Sequence, residues 1–468
     1  MSTAPGLSET PRDVAPTLHP GLKALLERPL LQTIWERRTH RVGLGVKTIA
    51  AGSMTYQSDR DPVPLGELEE AVLIALTGHC GLTVPDRPFS DPATGEPVMA
   101  KPNLTMLGRT AGGPDNAQGT HFFLINDTGT YFLRKSPPAP AGTVFDEATL
   151  LERAQAAKVK VLDQRLDVGP VGRDFPAYLD SNRLLSNLPG STILMPVVEL
   201  SHQYINGLMY LMTQPKGARP VLVDDRNFYR AAGVQRWIDN GFLDKDQKLP
   251  LGVIGTLCTQ IETDLLLQNL MLVADAMGLG AWIHATIGPP VMLGDPKFRA
   301  KYGEMLDFDY VTPKWRLMDL LRWHVPLPRC ADLRAHPVGL RHQDEYLIQA
   351  MCPPYYPTMA AAVDEVVRTK FKPGGVYQDR DTFQKIDNDD FGDRYLDEAP
   401  EYSREVIDCV RDICTYIHDT HGRFPVHCEA ILVPGVWLQV QHLDQAYYNR
   451  FFPNGLTDAH RRHDQLWH

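Results

Sequence analysis

A chain of 468 residues exceeds one typical domain, so two domains, or one core with large extensions, is the expectation. Its 43% hydrophobic and 22% charged residues are those of a folded globular protein and exclude a disordered chain. A net charge of −10 speaks against a nucleic-acid ligand, and no apolar run approaches the roughly 18 residues of a membrane span.

In chain order, residues 1–18 are rich in Pro, Ser and Thr and are expected to form a mobile arm. They lack a basic start followed by an apolar stretch, so no secretory leader is expected. Leu22, Leu25 and Leu26 have helical spacing, and Pro29 interrupts before a second helix over Leu30–Arg37. Leu68, Ala71, Val72, Ala75 and Leu76 predict a third helix, with Gly78 or Gly81 as its stop. Residues 85–119, rich in Pro and Gly, read as a long loop.

Thr120–Asn126 and Thr130–Arg134 are β-rich runs joined by Asp127-Thr128-Gly129, a hairpin pattern. A helix is expected over Glu147–Lys158, strands over Thr192–Val198 and Pro220–Val223, and a helix over Phe228–Asn240. Thr259–Met277 is apolar on nearly every side and predicts a buried helix, although Gln268, Asn269 and Asp275 interrupt it. Residues 285–335 read as irregular, and helices follow at Thr358–Thr369 and Glu401–His418. After Pro373-Gly374-Gly375 the chain becomes more charged and aromatic, which places a soft boundary near residue 372.

Three segments carry candidate chemistry. Arg37-Arg38-Thr39-His40-Arg41 puts three guanidiniums and a hydroxyl in five residues, a pattern suited to gripping a phosphate through bidentate hydrogen bonds. The plainer reading is a basic helix end that complements the helix dipole. Asn116-Ala117-Gln118 runs straight into the first hairpin strand, and its amides offer donors and acceptors to the edge of a heterocycle. A self-capping polar loop is the plainer reading there. Gly278-Leu279-Gly280 ends the apolar helix, either as a left-handed cap or as a place where backbone amides approach a ligand. No Gly-x-Gly-x-x-Gly fingerprint supports a Rossmann site.

Other chemistries find less support. Seven cysteines without a Cys-x-x-Cys spacing fit reduced thiols in a cytoplasmic protein. His418, His421, His427 and Cys428 raise zinc but match no spaced zinc signature, and the acidic run Asp387–Asp393 lacks the terminal Glu of a calcium loop. No metal is expected. No Gly-x-Ser-x-Gly elbow points to a serine hydrolase.

The three segments, in this order, resemble the FMN-dependent nitroreductase family. Arg37, Thr39 and Arg41 fit its Arg-x-Ser-x-Arg/Lys phosphate element, with Arg38 beside them. Asn116 and Gln118 fit its Asn-x-Gln element, and Gly278-Leu279-Gly280 fits the end of its central helix. Thr39 stands where the family has serine, His121 falls near its usual tryptophan, and Arg341 is a candidate for its C-terminal basic residue. The chain is about twice the compact family length, with a long insertion in the core and a C-terminal extension.

The resemblance implies an α+β fold with a central, mainly antiparallel sheet flanked by helices. A core over 19–371 would hold FMN, and 372–468 would be an extension serving as lid or dimer wrap. It implies a homodimer with FMN at the interface, and hydride passing from NADH or NADPH through flavin N5 to an electron-poor small molecule. His121, His284 or a tyrosine would donate any proton. Rival readings are a flavin oxidase that hands electrons to oxygen, and a scaffold or binding protein without catalysis.

Overall fold

The computed structural model describes residues 18–468, apart from 47–48, 84–94, 96–102, 114, 140–142, 144, 167–184, 259–260, 286–287, 303–304, 314–333 and 382–388. The expected arm therefore lies, but for Leu18, outside the described residues. In chain order the strands are β1 (His79–Leu82), β2 (Leu107–Arg109), β3 (Thr120–Asn126), β4 (Gly129–Leu133) and β5 (Lys158–Leu162). Next come β6 (Thr192–Glu199), β7 (Pro220–Asp224), β8 (Arg230–Ala231), β9 (Asp244–Pro250) and β10 (Gly280–His284). The last are β11 (Phe308–Val311), β12 (His336–His342), β13 (Glu345–Gln349), β14 (Ile431–Leu432) and β15 (Trp437–Gln441).

Seven strands form the central sheet in the order β10-β15-β6-β3-β4-β5, with β14 also on β6. All its pairings are antiparallel. The fold is thus mixed helix and antiparallel sheet. β3 shows why both faces are covered. Phe122 and Leu124 point into one apolar cluster while Phe123 and Ile125 point into the other, the two-residue period of a strand buried on both sides.

On the Phe122 face lie the helices Glu67–Ala75, Glu147–Ala157 and Ile261–Met277, the last through Leu266, Leu267, Leu270, Met271 and Ala274. Leu265 remains exposed, so this central helix is covered on most sides but not on all. On the Phe123 face lie Ser201–Met212, Leu251–Leu257, Met359–Phe371 and Arg404–His421.

The hairpin over β3 and β4 and the helices near 20, 30, 67, 147, 261, 359 and 404 stand where local pattern puts them. Four expectations are corrected. The segment 85–119 is not all loop, because β2 pairs with β1. The helix expected over 228–240 shrinks to Gln235–Asp239, because Phe228 and Tyr229 have φ of 56° and 53° and β8 follows. Residues 285–335 contain short helices, Pro289–Met292 and Pro296–Tyr302, and β11, which pairs with β12.

The fourth correction concerns residue 372, which does not divide the packing. β15 lies between β10 and β6 in the central sheet, and helix Arg404–His421 supplies Val406, Cys409, Val410, Ile413 and Ile417 to the core. The C-terminal segment is a structural part of the core, not a lid laid over it.

Candidate functional site

The arginine segment begins where helix Leu30–Glu36 ends, with Arg37 as its C-cap. Arg37 is half-buried and reaches Thr39 Oγ1 at 3.4 Å and Met271 Sδ, on the central helix, at 3.8 Å. Arg38 donates to the carbonyls of Trp35 and Arg37, and exposed Arg41 lies over the Trp282 ring at 5.3 Å. Among the described residues none of these three guanidiniums is within salt-bridge distance of a carboxylate. Unlike Arg109, Arg165 or Arg411, they keep an uncompensated positive charge.

Beside them β10 carries Trp282 and His284, stacked at 4.3 Å, and Trp437 Nε1 donates to His284 Nδ1 at 2.6 Å. Trp282 is fully buried, and its indole N–H has no acceptor among the described residues.

Gly278 and Gly280 meet this region from the other side. Gly278 has φ of 88°, and a Cβ there would stand 2.4 Å from the Ala459 carbonyl. A Cβ on Gly280 would stand 2.4 Å from Leu443 Cδ2 and 3.3 Å from the His40 carbonyl. Leu279 is fully buried. The glycines therefore permit close packing of the chain on itself, and their neighbours are Ala459 and His460 for Gly278 and Leu443 and His40 for Gly280. The structure does bring the first and third predicted segments together.

Asn116 and Gln118 both adopt positive φ, 50° and 51°. Asn116 Nδ2 is spent on Thr83 Oγ1 and on the carbonyls of Thr105 and Leu107, and Gln118 Nε2 on Leu107 O and on Asn116 Oδ1 at 2.8 Å. Gln118 Oε1 is buried and keeps no partner among the described residues. Their cleft is lined by Asp115, Gln203 and Glu262 as well, at the N-terminal end of the central helix. From Glu262 to Met271, which Arg37 touches, is about 14 Å of helix axis. A separate cleft beside Arg38 runs to Gly455 and Thr457. One long ligand, not one small anion, would be needed to join the amide loop to the guanidiniums.

Both candidate proton donors are held neutral. Burial pushes the His121 imidazole well below its usual value, helped by Lys135 and Arg109, and pushes His284 down to about 3, helped by Arg41. Neither is an imidazolium near pH 7, so each can accept or donate a hydrogen bond but cannot act as a ready acid. Next to His121, burial moves Lys135 down to about 7 and Glu199 up to about 7. Glu199 Oε1 accepts the backbone N–H of Ser201 at 2.8 Å, so it caps helix Ser201–Met212.

For Glu199 the folded value lies above the unfolded one. Its contribution is therefore complete below about pH 4.5 and is lost as pH rises through about 7. Glu199→Gln is expected to flatten the fall in stability between pH 5 and 8, by at most about 3 kcal/mol. Melting temperatures of both proteins across that range check this; parallel curves would contradict it.

A group of histidines near the C-terminus lies outside the expected site residues. His442 follows β15, and His460 and His463 are on helix Asp458–Trp467. Glu69, in the first turn of helix Glu67–Ala75, receives His442 Nε2 at 3.2 Å and His463 Nε2 at 2.9 Å, with His468 Nε2 at 3.8 Å. His442 and His463 join Glu69 across three parts of the chain, while His40 and His460 face Asp275 instead. The His460-x-x-His463 spacing, one helical turn on one face, was the available clue. His421 and His427 instead pair singly with Asp224 and Asp225, each at 2.8 Å. The acidic run from Asp389 is helical, and Asp393 and Asp397 pair with Arg380; residues 387–388 lie outside the described residues.

No protein-family model matches this chain. No curated protein matches it either. Among solved structures it is similar to one from Ralstonia eutropha JMP134 that is itself only provisionally described as a nitroreductase. The two are 14% identical, with 60% of this chain and 77% of that chain covered and a TM-score of 0.26. A likeness that distant carries no weight for fold or activity. No helix among the described residues is long and apolar enough to cross a membrane.

Proposed function

We propose that this protein is an FMN-dependent, nitroreductase-like oxidoreductase that passes hydride from NADH or NADPH to an electron-poor small molecule. The observation that carries the reading is the guanidinium trio, Arg37, Arg38 and Arg41. Among the described residues it has no carboxylate within salt-bridge distance, and Arg41 lies over the ring of Trp282, whose buried N–H has no acceptor there. A phosphate dianion supplies what both lack, negative charge and acceptor oxygens. The orphaned Gln118 Oε1 offers an acceptor to a ring N–H about a mononucleotide's length away.

FMN, when bound, supplies hydride chemistry at a ring nitrogen that no side chain can provide. This chain's residues would do the rest. Arg37, Thr39 and Arg41 hold the phosphate, Asn116 and Gln118 shape the amide edge, and the neutral His121 and His284 contribute hydrogen bonds without charge. Gly278, Leu279 and Gly280 act by letting this turn pack closely, Gly278 on Ala459 and Gly280 on Leu443 and His40.

We propose a homodimer from a different feature. Leu26, Leu30, Leu31, Ile34 and Trp35 are exposed on the two N-terminal helices, Trp35 to 73%. A patch of this kind marks a contact surface, and a second copy is the occupant we propose.

The visible spectrum of the purified protein, followed by anaerobic addition of NADH or NADPH, tests the reading. Arg37→Ala with Arg41→Ala is expected to weaken FMN binding about 100-fold or more, because two charge-assisted contacts are lost. A second reading, a non-catalytic scaffold, is favoured by the amides of Asn116 and Gln118 being spent within their own loop. A colourless protein that takes up no FMN on reconstitution would decide for it. Oxygen uptake by yellow protein without nicotinamide would indicate an oxidase instead.

A further inference from the structure

We infer that Glu69, His442, His463 and His468 form a structural binding site for one divalent transition-metal ion of the zinc class. One donor atom from each lies within 4.8 Å of every other, and three of the four side chains are buried. The inference is independent of the flavin reading.

The tautomers make the case. His442 Nδ1 is 3.1 Å from the Val63 carbonyl, and His463 Nδ1 is 2.9 Å from the Met277 carbonyl. A carbonyl only accepts, so each Nδ1 carries the proton. Each Nε2 faces Glu69, at 3.2 and 2.9 Å, as a donor to the carboxylate when protonated and as a lone pair offered to a cation when not. One metal ion among these groups would take the place of those protons and be held by all of them at once. A backbone carbonyl behind the remote ring nitrogen is also the outer contact that fixes metal-ligating histidines.

The dimensions agree. Metal bonds of about 2.0 to 2.1 Å in a tetrahedron put neighbouring donors about 3.3 Å apart. The observed edges from Glu69 Oε1 are 2.9 Å to His463, 3.3 Å to His442 and 3.8 Å to His468. His468 is the exposed member and would complete the shell by a small rotation. Three imidazoles and one carboxylate favour zinc and its neighbours over magnesium or calcium. Four protein donors make a closed, structural site. The ion would clasp helix Glu67–Ala75, the end of β15 and helix Asp458–Trp467.

The neighbouring trio His40, Asp275 and His460 differs. His460 Nδ1 accepts the Thr457 N–H at 3.1 Å, so its Nε2 carries a proton toward Asp275 and is not a free ligand. It is excluded from the site and serves as an internal control.

The test is titration of the chelator-treated full chain with zinc chloride, reading bound metal by elemental mass spectrometry and stability by thermal melting. One zinc per chain and a raised melting temperature are expected. His468→Gln changes an exposed residue that the fold does not need, and is expected to bind zinc at least about 10-fold more weakly. His463→Gln should bind none, His460→Gln should bind as the unaltered chain does, and X-ray absorption of the loaded protein should show imidazole nitrogens. Folded, unaltered protein that takes up less than half an equivalent of zinc would overturn the inference. So would an affinity unchanged by His468→Gln.

Discussion

Glu262→Ala is expected to destabilise the protein by about 3 to 5 kcal/mol, the cost of leaving a buried cation without its counter-charge. The Arg109 side chain is 1% exposed. Its guanidinium donates to Glu262 and to the carbonyls of Thr77, at 2.7 Å, and Thr120, at 2.8 Å. Thr120 Oγ1 in turn meets Thr263 Oγ1 at 2.8 Å. One cation thus ties the end of the third helix, the start of β3 and the N-terminal end of the central helix. With Glu262 gone, the two carbonyls remain but the charge does not find water. The double variant Arg109→Met with Glu262→Leu should recover most of the loss, because it removes both charges and fills the space. Urea denaturation of the unaltered chain and the two variants measures this; a loss below about 1 kcal/mol for Glu262→Ala would show that the pair is solvated.

Ending the chain at residue 371 is expected to abolish folding. A detachable extension would leave a stable core behind. Here the loss would open the sheet between β10 and β6, which have no other neighbour in common than β15, and would strip Trp437, Leu438 and Val440 from the two apolar clusters. Removing Arg404–His421 would also expose the face formed by Ser201–Met212 and Met359–Phe371. Unpaired edges and bared apolar faces lead to aggregation. Circular dichroism and gel filtration of the shortened chain check the outcome. A soluble, cooperatively unfolding product would restore the boundary near residue 372.

Of the candidate site, the arginine segment was legible because its charges stand together in the chain. Its lack of acidic partners was not, since partners such as Glu262 for Arg109 come from 153 positions away. The Gly278-Leu279-Gly280 turn was legible as a cap, but only the packing against Ala459 and Leu443 gives its reason. Asn116 and Gln118 were legible as polar loop residues. That their amides are spent on the loop itself depends on the loop's fold, with both residues at positive φ. The Glu69 and histidine cluster escaped altogether, because its members are separated by up to 373 positions from Glu69 to His442 and further still to His463.

By itself the sequence determined what depends on near neighbours. The hairpin of β3 and β4, the apolar helix ending at Met277 and the amphipathic helix Arg404–His421 all follow from periods of two or 3.6 residues and from local turns and caps. Only the tertiary structure decided which strands sit side by side, that residues 437–441 complete the central sheet, and which charged groups face each other. The physical reason is that period and cap are properties of a short stretch, whereas register, burial and charge pairing are settled by surfaces distant in the chain that exclude water together.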